Sequence, residues 1–440
     1  MKIHFYTLGC KVNQYETEAM TELFAKAGYV AVSDPADADV IVINSCTVTA
    51  NSDQKTRQAV RRFKRGNPDA CVVLAGCMPQ AFPEDAKKLS EADIITGNTD
   101  HKQILELVEK HFENKTGTQL FAIGTHAAGE IFEDLSIDKF GGRTRAFIKI
   151  QDGCDRYCSY CIIPTARGRS RSRSLESLGT ELDKIKASGF KEVVLVGINF
   201  CCYGLDIDKT FTDAIELACN KGFERVRIGS LEFDNISDEA ISRLAKLPNF
   251  CPQFHISLQS GSDATLKRMN RHYTSAEYAE LCAKLRKNFR DATITTDLMV
   301  GFPLETEEDF EESMAFARKI GFEKIHVFPY SPRSGTKAAT LPQVDGAEKN
   351  RRAQEALKLS TELRENFLKS QIGKAVNVLA ETYNMETGRL SGYTKNYTPV
   401  SFEISSDAFT SIVSALSNKV LAVRITGVDL ENDCCIGEMI

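Results

Sequence analysis

Short apolar, β-branched segments alternate with longer amphipathic ones, and this alternation constrains the fold more than any other feature of the sequence. Strand–helix repeats form parallel sheets with helical crossovers. For residues 1–110 we therefore predict an open parallel α/β sheet. Its predicted strands are Ile3–Leu8, Val40–Asn44, Cys71–Ala75 and Asp93–Thr96. Its predicted helices are Gln14–Ala27, a helix through residues 55–65, and Lys102–Lys110.

A second series of strands and helices follows a connector at residues 111–142. Six strand–helix units predict an open, partial (β/α)6 barrel, since a closed barrel needs eight. The predicted strands are Ala146–Ile150, Glu192–Val196, Arg225–Ile228, Phe254–Leu258, Thr293–Val300 and Lys324–Phe328. The predicted helices lie near Leu175–Ser188, Thr212–Lys221, Asp238–Lys246, Ala276–Phe289 and Glu307–Ile320.

The last part of the chain changes character after a charged amphipathic helix at Asp345–Ser370. Its strand-and-turn composition is consistent with a small antiparallel β-barrel. The predicted strands are Val376–Glu381, Gly388–Tyr393, Pro399–Ile404 and Lys419–Val428. We thus predict an α/β multidomain chain: residues 1–110, a connector at 111–142, a barrel with its trailing helix at 143–370, and a β-barrel at 371–440.

The composition is that of an ordinary globular protein. The chain has 440 residues, 42% of them hydrophobic and 26% charged, which suggests two to four domains. The N-terminus lacks the apolar core of a signal peptide, and no apolar run is long enough for a membrane helix. We therefore expect a cytoplasmic protein without membrane contact. Its fourteen cysteines would be kept reduced and available to metals there.

Three cysteines stand within eight positions, at Cys154, Cys158 and Cys161. Three thiolates on one loop suit an iron–sulfur cube whose fourth iron stays open to a small molecule. A zinc knuckle usually takes four ligands from two Cys-x-x-Cys pairs, and no second pair lies nearby. The spacing therefore favours a catalytic cluster, with zinc or inert thiols as the alternatives.

Three further cysteines each lie at or just beyond the carboxyl end of one of the first three predicted strands: Cys10, Cys46 and Cys77. The carboxyl ends of parallel strands form a ligand crevice, so these thiols are expected to converge. Buried cysteines are common near strands, which makes any one of them uninformative. The repeated placement predicts a second three-thiol cluster site.

Two stretches are strongly basic although the net charge of the chain is −5. Residues 55–65 hold six Lys or Arg, and Arg57, Arg61 and Arg65 share one helix face. Residues 143–173 hold eight basic residues against two acidic ones. A solvated surface and a phosphate-backbone partner remain open readings of both stretches.

Together these features resemble the methylthiotransferase family of radical S-adenosylmethionine (SAM) enzymes over nearly the whole chain. In this family SAM binds the open iron of the cluster. The C-terminal module resembles the family's TRAM domain, an RNA-binding β-barrel. The segments that carry the resemblance are Thr7–Glu18, Ile150–Asp155, Ile163–Arg169, His255–Ser262 and Pro329–Thr336.

The resemblance implies two 4Fe–4S clusters and SAM as cofactors. Cys154, Cys158 and Cys161 would bind the cluster that cleaves SAM to a 5′-deoxyadenosyl radical. That radical would remove the hydrogen from carbon 2 of an adenine. Cys10, Cys46 and Cys77 would bind the cluster that delivers sulfur, and a second SAM would methylate it. The implied partners are a tRNA anticodon loop, an electron donor and a sulfur source.

The segment from Cys10 to Glu16 most resembles the branch that modifies N6-threonylcarbamoyladenosine at tRNA position 37. The isopentenyladenosine-37 branch and the branch that modifies a ribosomal-protein aspartate remain alternatives. A non-catalytic iron–sulfur or zinc protein that binds RNA is an alternative from another class. It would yield no 5′-deoxyadenosine from SAM.

Several weaker expectations complete the prediction. Six polar or small residues near the barrel mouth could contact SAM, or could simply satisfy the barrel's own backbone: Gly197, Asn199, Ser257, Gln259, Asp297 and Tyr330. Cys201 and Cys202 stay unassigned, and Cys434 and Cys435 are expected to be incidental. The C-terminal module has net charge −3, which is unusual for an RNA-binding barrel. Tyr393, Lys395, Asn396 and Tyr397 could still form a stacking patch for RNA.

Overall fold

The computed structural model describes residues 1–114, 118–127, 129–137, 144–403, 416 and 418–440. These residues form, in chain order, a parallel sheet, a half-barrel and a small closed barrel. Among the described residues, no helix combines the length and apolarity that crossing a bilayer requires.

The N-terminal sheet has six parallel strands in the order β2-β1-β3-β4-β5-β6. The strands are β1 Lys2–Thr7, β2 Val30–Ala31, β3 Val40–Ser45, β4 Cys71–Gly76, β5 Ile94–Thr96 and β6 Leu120–Ala122. The helices are α1 Lys11–Lys26, α2 Ala50–Gly66, α3 Cys77–Ala81, α4 Pro83–Lys87 and α5 Gln103–Asn114. Strand β6 pairs with β5, so the sheet extends into the segment that the sequence analysis assigned to a connector.

The centre of this sheet is formed by β3 and β4, whose residues are all buried. Continuous runs of Val and Ile suit parallel strands that are covered by helices on both faces. Helix α2 begins where the side chain of Thr49 accepts a hydrogen bond from the backbone N–H of Ser52. The carboxyl ends of β1, β3 and β4 consequently meet at one edge, each followed directly by a loop or helix that carries a cysteine.

The middle of the chain forms the predicted half-barrel. Parallel strands β7, β9 and β10 make one wall, and β11, β12, β13 and β14 make the other. The strands are β7 Arg145–Asp152, β8 Arg171–Ser172, β9 Glu192–Gly197, β10 Arg225–Ile228, β11 Ser230–Leu231, β12 Gln253–Ile256, β13 Thr293–Val300 and β14 Lys324–Pro329. The helices are α6 Ile163–Arg167, α7 Leu175–Ala187, α8 Phe211–Asn220, α9 Asp238–Ala245, α10 Asp263–Arg268, α11 Ser275–Asn288 and α12 Glu307–Ile320.

Helix α1 of the N-terminal unit packs against β7 and β9 of the half-barrel. Val12 forms a small apolar cluster with Val194 and Val196 of β9, while the neighbouring residues Val193 and Leu195 belong to the main core. Because side chains alternate along a strand, Val12 lies on the face of β9 opposite to that core. The N-terminus of α1, with Cys10 as its cap, is thereby brought to the interior of the half-barrel.

Helix α13 (Gly346–Lys369) packs on β14 and leads into a closed five-stranded barrel. The barrel strands are β15 Ala375–Asn384, β16 Arg389–Thr394, β17 Pro399–Glu403, β18 Val420–Asp429 and β19 Cys434–Met439. Four of its pairings are antiparallel and one, between β17 and β19, is parallel. Strand β19 was not predicted; Cys434 and Cys435 are buried residues of this strand, and Cys435 belongs to the barrel core.

The predicted RNA-stacking patch also holds the C-terminal barrel against the half-barrel. Tyr393 and Tyr397 stack on each other with centroids 4.4 Å apart, and the guanidinium of Arg145 lies over both rings. Lys395 and Asn396 donate hydrogen bonds to the carbonyls of Pro248 and Asp291. These contacts carried no signal in the sequence because the partners are far away along the chain, and RNA binding by the patch stays a prediction.

Candidate active site

Cys10, Cys46 and Cys77 converge at the carboxyl edge of the N-terminal sheet. Cys10 caps α1 just after β1, Cys46 directly follows β3, and Cys77 begins α3 directly after β4. Burial raises the pKa of the Cys77 thiol to about 12, and the nearby thiols of Cys46 and Cys10 raise this pKa further. The side chain of Asn13 contacts both Cys10 Sγ and the carbonyl oxygen of Ser45 at 3.2 Å. The Ser45 hydroxyl accepts from the backbone N–H of Met78 at 3.2 Å, so the three cysteine-bearing segments meet at one site.

Cys154, Cys158 and Cys161 lie on the loop between β7 and α6, at the carboxyl end of the first half-barrel strand. The N–H of Cys161 donates to the carbonyl of Cys158 at 3.0 Å, which folds the loop into a tight turn. Burial raises the pKa of Cys154 to about 11 and of Cys161 to about 12, and in both cases the other loop thiols add to the effect. The second trio therefore also forms one site.

Glycine residues set the direction of the chain before two of these cysteines. Gly76 has φ +95°, and a Cβ there would lie 2.6 Å from Asn44 Oδ1. Gly153 has φ +70°, and a Cβ there would lie 1.9 Å from the carbonyl oxygen of Arg169. Both positions exclude every residue with a side chain, because the backbone is left-handed and the space is filled. The two glycines allow the chain to turn sharply from the strand into the cysteine.

The surroundings of the thiols fit iron–sulfur clusters. Three side chains place N–H groups beside the sulfurs: Asn199 Nδ2 is 3.6 Å from Cys154 Sγ, Arg271 Nη1 is 3.5 Å from Cys158 Sγ, and Asn98 Nδ2 is 3.6 Å from Cys77 Sγ. Hydrogen bonds to the sulfurs are one way in which proteins tune such clusters. The raised pKa values of Cys77, Cys154 and Cys161 mean that these three thiols stay protonated at neutral pH until a metal displaces the proton.

A single-ion site is a different arrangement. Within the part of the chain that the structure describes, no three His, Cys, Asp or Glu side chains are placed to hold one metal ion. The cysteine ligands of an iron–sulfur cube bind different irons and therefore stand further apart than the ligands of one ion.

The two cysteine trios lie next to each other. Helix α3, which begins with Cys77, packs against α6, which begins two residues after Cys161. Burial raises the pKa values of Cys77 and Cys46, and the guanidinium of Arg167, at the end of α6, opposes this rise for both thiols. The loops that carry the two sets of thiols thus share one interface between the N-terminal sheet and the half-barrel.

A buried lattice of charges joins these loops. Arg167 donates to Glu16 at 2.7 and 3.0 Å and to Asp152 at 3.1 Å. Lys149 contacts the same two carboxylates at 2.9 and 2.5 Å. All four side chains are at most 4% exposed, and in spite of this burial the two cations hold the pKa values of Glu16 and Asp152 well below their usual range. Glu16 belongs to α1, which begins just after Cys10, and Asp152 lies two residues before Cys154.

A second buried ion pair crosses the same interface. Arg333, which follows β14, donates to Thr47 Oγ1 at 2.8 Å and to Asp53 Oδ2 at 2.5 Å. Thr47 is the residue after Cys46, and Asp53 lies in the first turn of α2. Arg333 therefore holds the Cys46 loop against the half-barrel.

The predicted SAM-contacting residues fall in different places. Gly197 ends β9, and a Cβ on it would touch Gln151 at 3.0 Å. Asn199 is buried beside Cys154, and its backbone N–H donates to Gln151 Oε1 at 2.7 Å. Its side-chain oxygen has no hydrogen-bond partner among the described residues. The structure thus brings Gly197 and Asn199 to the Cys154 loop.

Ser257, Gln259 and Asp297 lie together on the opposite wall. The Ser257 hydroxyl is 3.4 Å from Asp297 Oδ2, and the backbone of Gln259 pairs with β13 beside Asp297. Tyr330 is buried in an apolar cluster with Met269 and Phe302 that also touches Tyr160 of the cysteine loop. Tyr330 therefore packs beneath the loop.

Two side chains that the sequence analysis did not single out support the cysteine loop. Gln151 is fully buried and donates to the carbonyls of Asp152 and Gly153 at 2.8 Å. Arg271 contacts Cys158, the carboxylate of Glu232 and the carbonyl of Ser257. Gln151 is part of the Ile150–Asp155 segment, but Arg271 lies 113 residues after Cys158 in the sequence and carried no signal.

The remaining cysteines lie outside both trios. Cys71, Cys219, Cys251 and Cys282 are buried. Cys201 is also buried, and its thiol donates to the carbonyl of Glu232 at 3.1 Å. Cys202 lies beside Asn235, with Nδ2 3.9 Å from its sulfur.

A cavity of about 540 Å³ occupies the interior of the half-barrel between these walls and the C-terminal barrel. Its lining includes His255, Asp297 and His326 from the strands, Tyr397 from the barrel, and Lys11, the residue after Cys10. Lys11 is accessible to solvent although protein surrounds it on most sides, as expected at the edge of a deep cavity. This surrounding protein lowers the pKa of Lys11 to about 8, and the nearby Arg227 and Arg145 lower it as well.

Two family descriptions match the chain: "Radical SAM superfamily" over residues 148–317 and "Uncharacterized protein family UPF0004" over residues 2–97. A Bacillus subtilis protein named threonylcarbamoyladenosine tRNA methylthiotransferase MtaB is 38% identical over 93% of this chain and 92% of its own length. The chain belongs to the radical SAM methylthiotransferases. The Aquifex aeolicus protein of the same name is 37% identical over 92% of this chain and 97% of its own length.

Another relative carries a different name. The tRNA-2-methylthio-N(6)-dimethylallyladenosine synthase of Caldicellulosiruptor saccharolyticus is 34% identical over 93% of this chain and 88% of its own length. Among solved structures, the radical SAM methyltransferase TsrM of Kitasatospora setae has a TM-score of 0.57 at 15% identity and covers 77% of each chain. That likeness confirms the radical SAM fold with its parallel sheets and half-barrel. As a member of this family the chain is a transferase that uses an iron–sulfur cluster and SAM.

Proposed function

We propose that this enzyme inserts a methylthio group at carbon 2 of N6-threonylcarbamoyladenosine-37 in tRNA. The observation that carries the proposal is the pair of cysteine trios, which lie side by side across the α3–α6 interface. A carbon-2 hydrogen of adenine is not acidic, so neither a base nor a nucleophile removes it directly. Two relatives named for threonylcarbamoyladenosine are 38% and 37% identical to the chain, against 34% for a relative named for dimethylallyladenosine, and this supports the substrate branch.

The same geometry supports a proposal for the cluster ligands. We assign Cys154, Cys158 and Cys161 to the cluster that binds SAM, and Cys10, Cys46 and Cys77 to an auxiliary cluster. When bound, the two clusters and SAM supply the radical chemistry and the sulfur. The chain's own residues hold the two ligand loops at a fixed distance, through the Glu16–Arg167 lattice and through Arg333. Preorganisation of this kind is what a reaction between two bound groups requires.

For SAM itself we propose Gly197 and Asn199 on one wall, and Ser257, Gln259 and Asp297 on the other. The contact of Asn199 with Cys154 and its unpartnered buried oxygen support a role for Asn199. Tyr330 packs beneath the cysteine loop, and we propose that it affects SAM binding by supporting this loop.

The RNA partner would reach the cavity from outside. A base whose carbon 2 is modified must leave the anticodon-loop stack, and single-stranded loops allow this. The basic face of α2, formed by Arg57, Arg61 and Arg65, is a suitable phosphate contact because it is at least partly exposed on the same unit as Cys46. The C-terminal barrel resembles a TRAM domain in its closed five-stranded form.

We further propose that residues 1–110 together with strand β6, residues 143–370 and residues 371–440 act as three domains around this cavity, with the rest of 111–142 as their connector. The electron donor and the sulfur source are expected to be separate partners. Since tRNA is the proposed substrate, we place the enzyme in the cytoplasm.

Mass spectrometry of tRNA nucleosides from cells that lack this chain tests the proposal. Loss of the methylthio group from threonylcarbamoyladenosine alone is the expected result. Loss of the methylthio group from isopentenyladenosine instead would assign the enzyme to the isopentenyladenosine branch of the family. The Caldicellulosiruptor saccharolyticus relative carries the name of that branch. Unchanged tRNA together with an unmodified ribosomal-protein aspartate would contradict the tRNA proposal.

Anaerobic reconstitution tests the two-cluster assignment separately. Two 4Fe–4S clusters give close to eight irons per chain. Replacement of Cys46 by Ala is expected to remove one cluster's iron while 5′-deoxyadenosine is still formed from SAM. Replacement of Cys158 by Ala is expected to abolish 5′-deoxyadenosine formation. A full iron content in either variant contradicts the assignment.

A further inference from the structure

We propose that Lys11 recognises the carboxylate on the N6 substituent of the adenine and so selects threonylcarbamoyladenosine over an uncharged N6 substituent. This inference rests on the function proposed above and names the residue that reads the substrate. Lys11 is the first residue of α1 and follows Cys10 directly. It lines the 540 Å³ cavity inside the half-barrel.

The charges that line this cavity are otherwise balanced. Asp297 lies 3.3 Å from His255, and Glu323 lies 3.3 Å from Arg286. Asp433 pairs with both Lys324 and Arg364, at 2.8 and 2.5 Å. Each carboxylate in the cavity wall therefore has a basic partner within the protein.

Lys11 has no such partner. Among the described residues no carboxylate forms an ion pair with its ammonium group, and the guanidinium groups nearest to it, Arg145 and Arg227, are themselves held by Glu192. Among the described residues that line the cavity, Lys11 is consequently the one lysine or arginine without an ion pair, and the nearby Glu192 carboxylate lies beyond ion-pair distance. A bound anion would complete the balance, and a charge-assisted hydrogen bond in such a sheltered place is stronger than one in water.

The two substrates that the relatives' names print differ in this respect. A threonylcarbamoyl group ends in a carboxylate, whereas a dimethylallyl group is a hydrocarbon. Both groups are attached to N6 of the ring whose carbon 2 must reach the auxiliary cluster. A cation next to a ligand of that cluster is therefore close enough to contact the end of a short N6 arm. Lys11 is the cation in that position.

The test combines a change in the protein with a change in the RNA. Anticodon stem-loops are prepared with threonylcarbamoyladenosine at position 37, either as the free acid or as its methyl ester, which lacks the charge. Their dissociation constants are measured anaerobically by fluorescence anisotropy, with the fully reconstituted enzyme and with its Lys11→Met and Lys11→Arg variants. Iron content and circular dichroism verify that each variant is loaded and folded.

The wild-type enzyme is expected to bind the acid about tenfold or more tightly than the ester, the range of a hydrogen bond between charged groups. Lys11→Met should bind both RNAs as the wild type binds the ester, and Lys11→Arg should keep part of the preference. Lys358→Met removes an exposed charge from α13 and should keep the full preference, which controls for net charge.

Two outcomes overturn the inference: no preference in the wild type, or a full preference in Lys11→Met. If the wild type methylthiolates the threonylcarbamoyl RNA in either case, the proposed function stands and only the role of Lys11 is wrong. If the wild type modifies isopentenyladenosine RNA instead, the proposed function fails as well.

Discussion

Helix α2 and the segment from Arg145 to Arg173 are both rich in basic side chains. Most of the positive charges on α2 face solvent, whereas most of those in the second segment are buried against carboxylates. On α2, Lys55, Arg61 and Arg65 are exposed, and of these three only Arg61 forms an ion pair with another described residue. In the second segment, Lys149, Arg167, Arg171 and Arg173 are nearly fully buried and face carboxylates. Arg143 lies outside the described residues.

The difference shows that basic residues crowded in the sequence can serve opposite purposes. Where they alternate with apolar residues on a strand, or follow a buried loop, they point inward and require internal carboxylates such as Glu16 and Asp152. Where they lie on the outer face of an amphipathic helix, they leave the positive charge to a partner. The predictions below test this contrast, in order of decreasing effect.

The largest effect is expected from Glu16→Gln. This change leaves Lys149 and Arg167 buried with one carboxylate fewer, and breaking such a buried arrangement typically costs about 3–5 kcal/mol. Urea unfolding followed by circular dichroism measures the loss of stability. Glu312→Gln, at an exposed position of α12, is the matched control and should unfold as the wild type does. Equal stability of the two variants would show that the lattice is not structurally important.

A smaller effect is expected from the triple change Arg57→Gln, Arg61→Gln and Arg65→Gln. Affinity for the substrate tRNA should fall about tenfold, and the slope of log affinity against log salt should decrease by about 2, since each lost phosphate contact removes somewhat less than one counterion. Urea unfolding should stay unchanged. As a control, the triple change Arg318→Gln, Lys319→Gln and Lys358→Gln removes the same amount of charge from α12 and α13. An identical loss of affinity there would mean that α2 has no particular role.

His101 allows a pH-dependent test of the buried charges, because its ring lies next to the lattice carboxylate Glu16. Its ring lies 2.5 Å from Glu133 and 3.8 Å from Glu16, and these carboxylates raise its pKa above the usual 6.5 in spite of burial. A raised folded pKa contributes stability that is complete below pH 6.5 and is lost as the pH rises through the folded value. His101→Gln should therefore lose stability relative to the wild type at pH 6 and less at high pH. A difference independent of pH would contradict a charged His101.

The smallest effect is expected from Arg169→Gln. Arg169 belongs to the buried segment by sequence, but its side chain is exposed and pairs with Asp155 at 3.0 Å. Exposed ion pairs contribute little to stability. Neither the urea midpoint nor the tRNA salt slope should change measurably. A clear loss of stability would show that exposure does not separate the two classes of basic residue.

Much of the fold could be predicted from the sequence, because the patterns that indicate its strands and helices are local. The buried Val-Ile-Val-Ile run of β3 and the capped helices predicted the parallel sheet, and the rule on strand ends predicted that Cys10, Cys46 and Cys77 converge. Short edge strands such as β6 have too few residues to give a pattern. The roles of Arg271, Arg333 and Tyr397 depend on partners more than a hundred residues away, which no local pattern records.

The seam between the half-barrel and the C-terminal barrel has a consequence for how this enzyme is divided into modules. Arg225 donates to the carbonyls of Tyr393 and Asn377, and Arg227 donates to those of Thr394 and Lys395. A shortened chain that ended before the barrel would take these carbonyl acceptors from both guanidinium groups and open one wall of the 540 Å³ cavity. Truncation between the half-barrel and the C-terminal barrel would thus inactivate catalysis itself. The C-terminal barrel is therefore harder to exchange during evolution than a domain that is attached only by a linker.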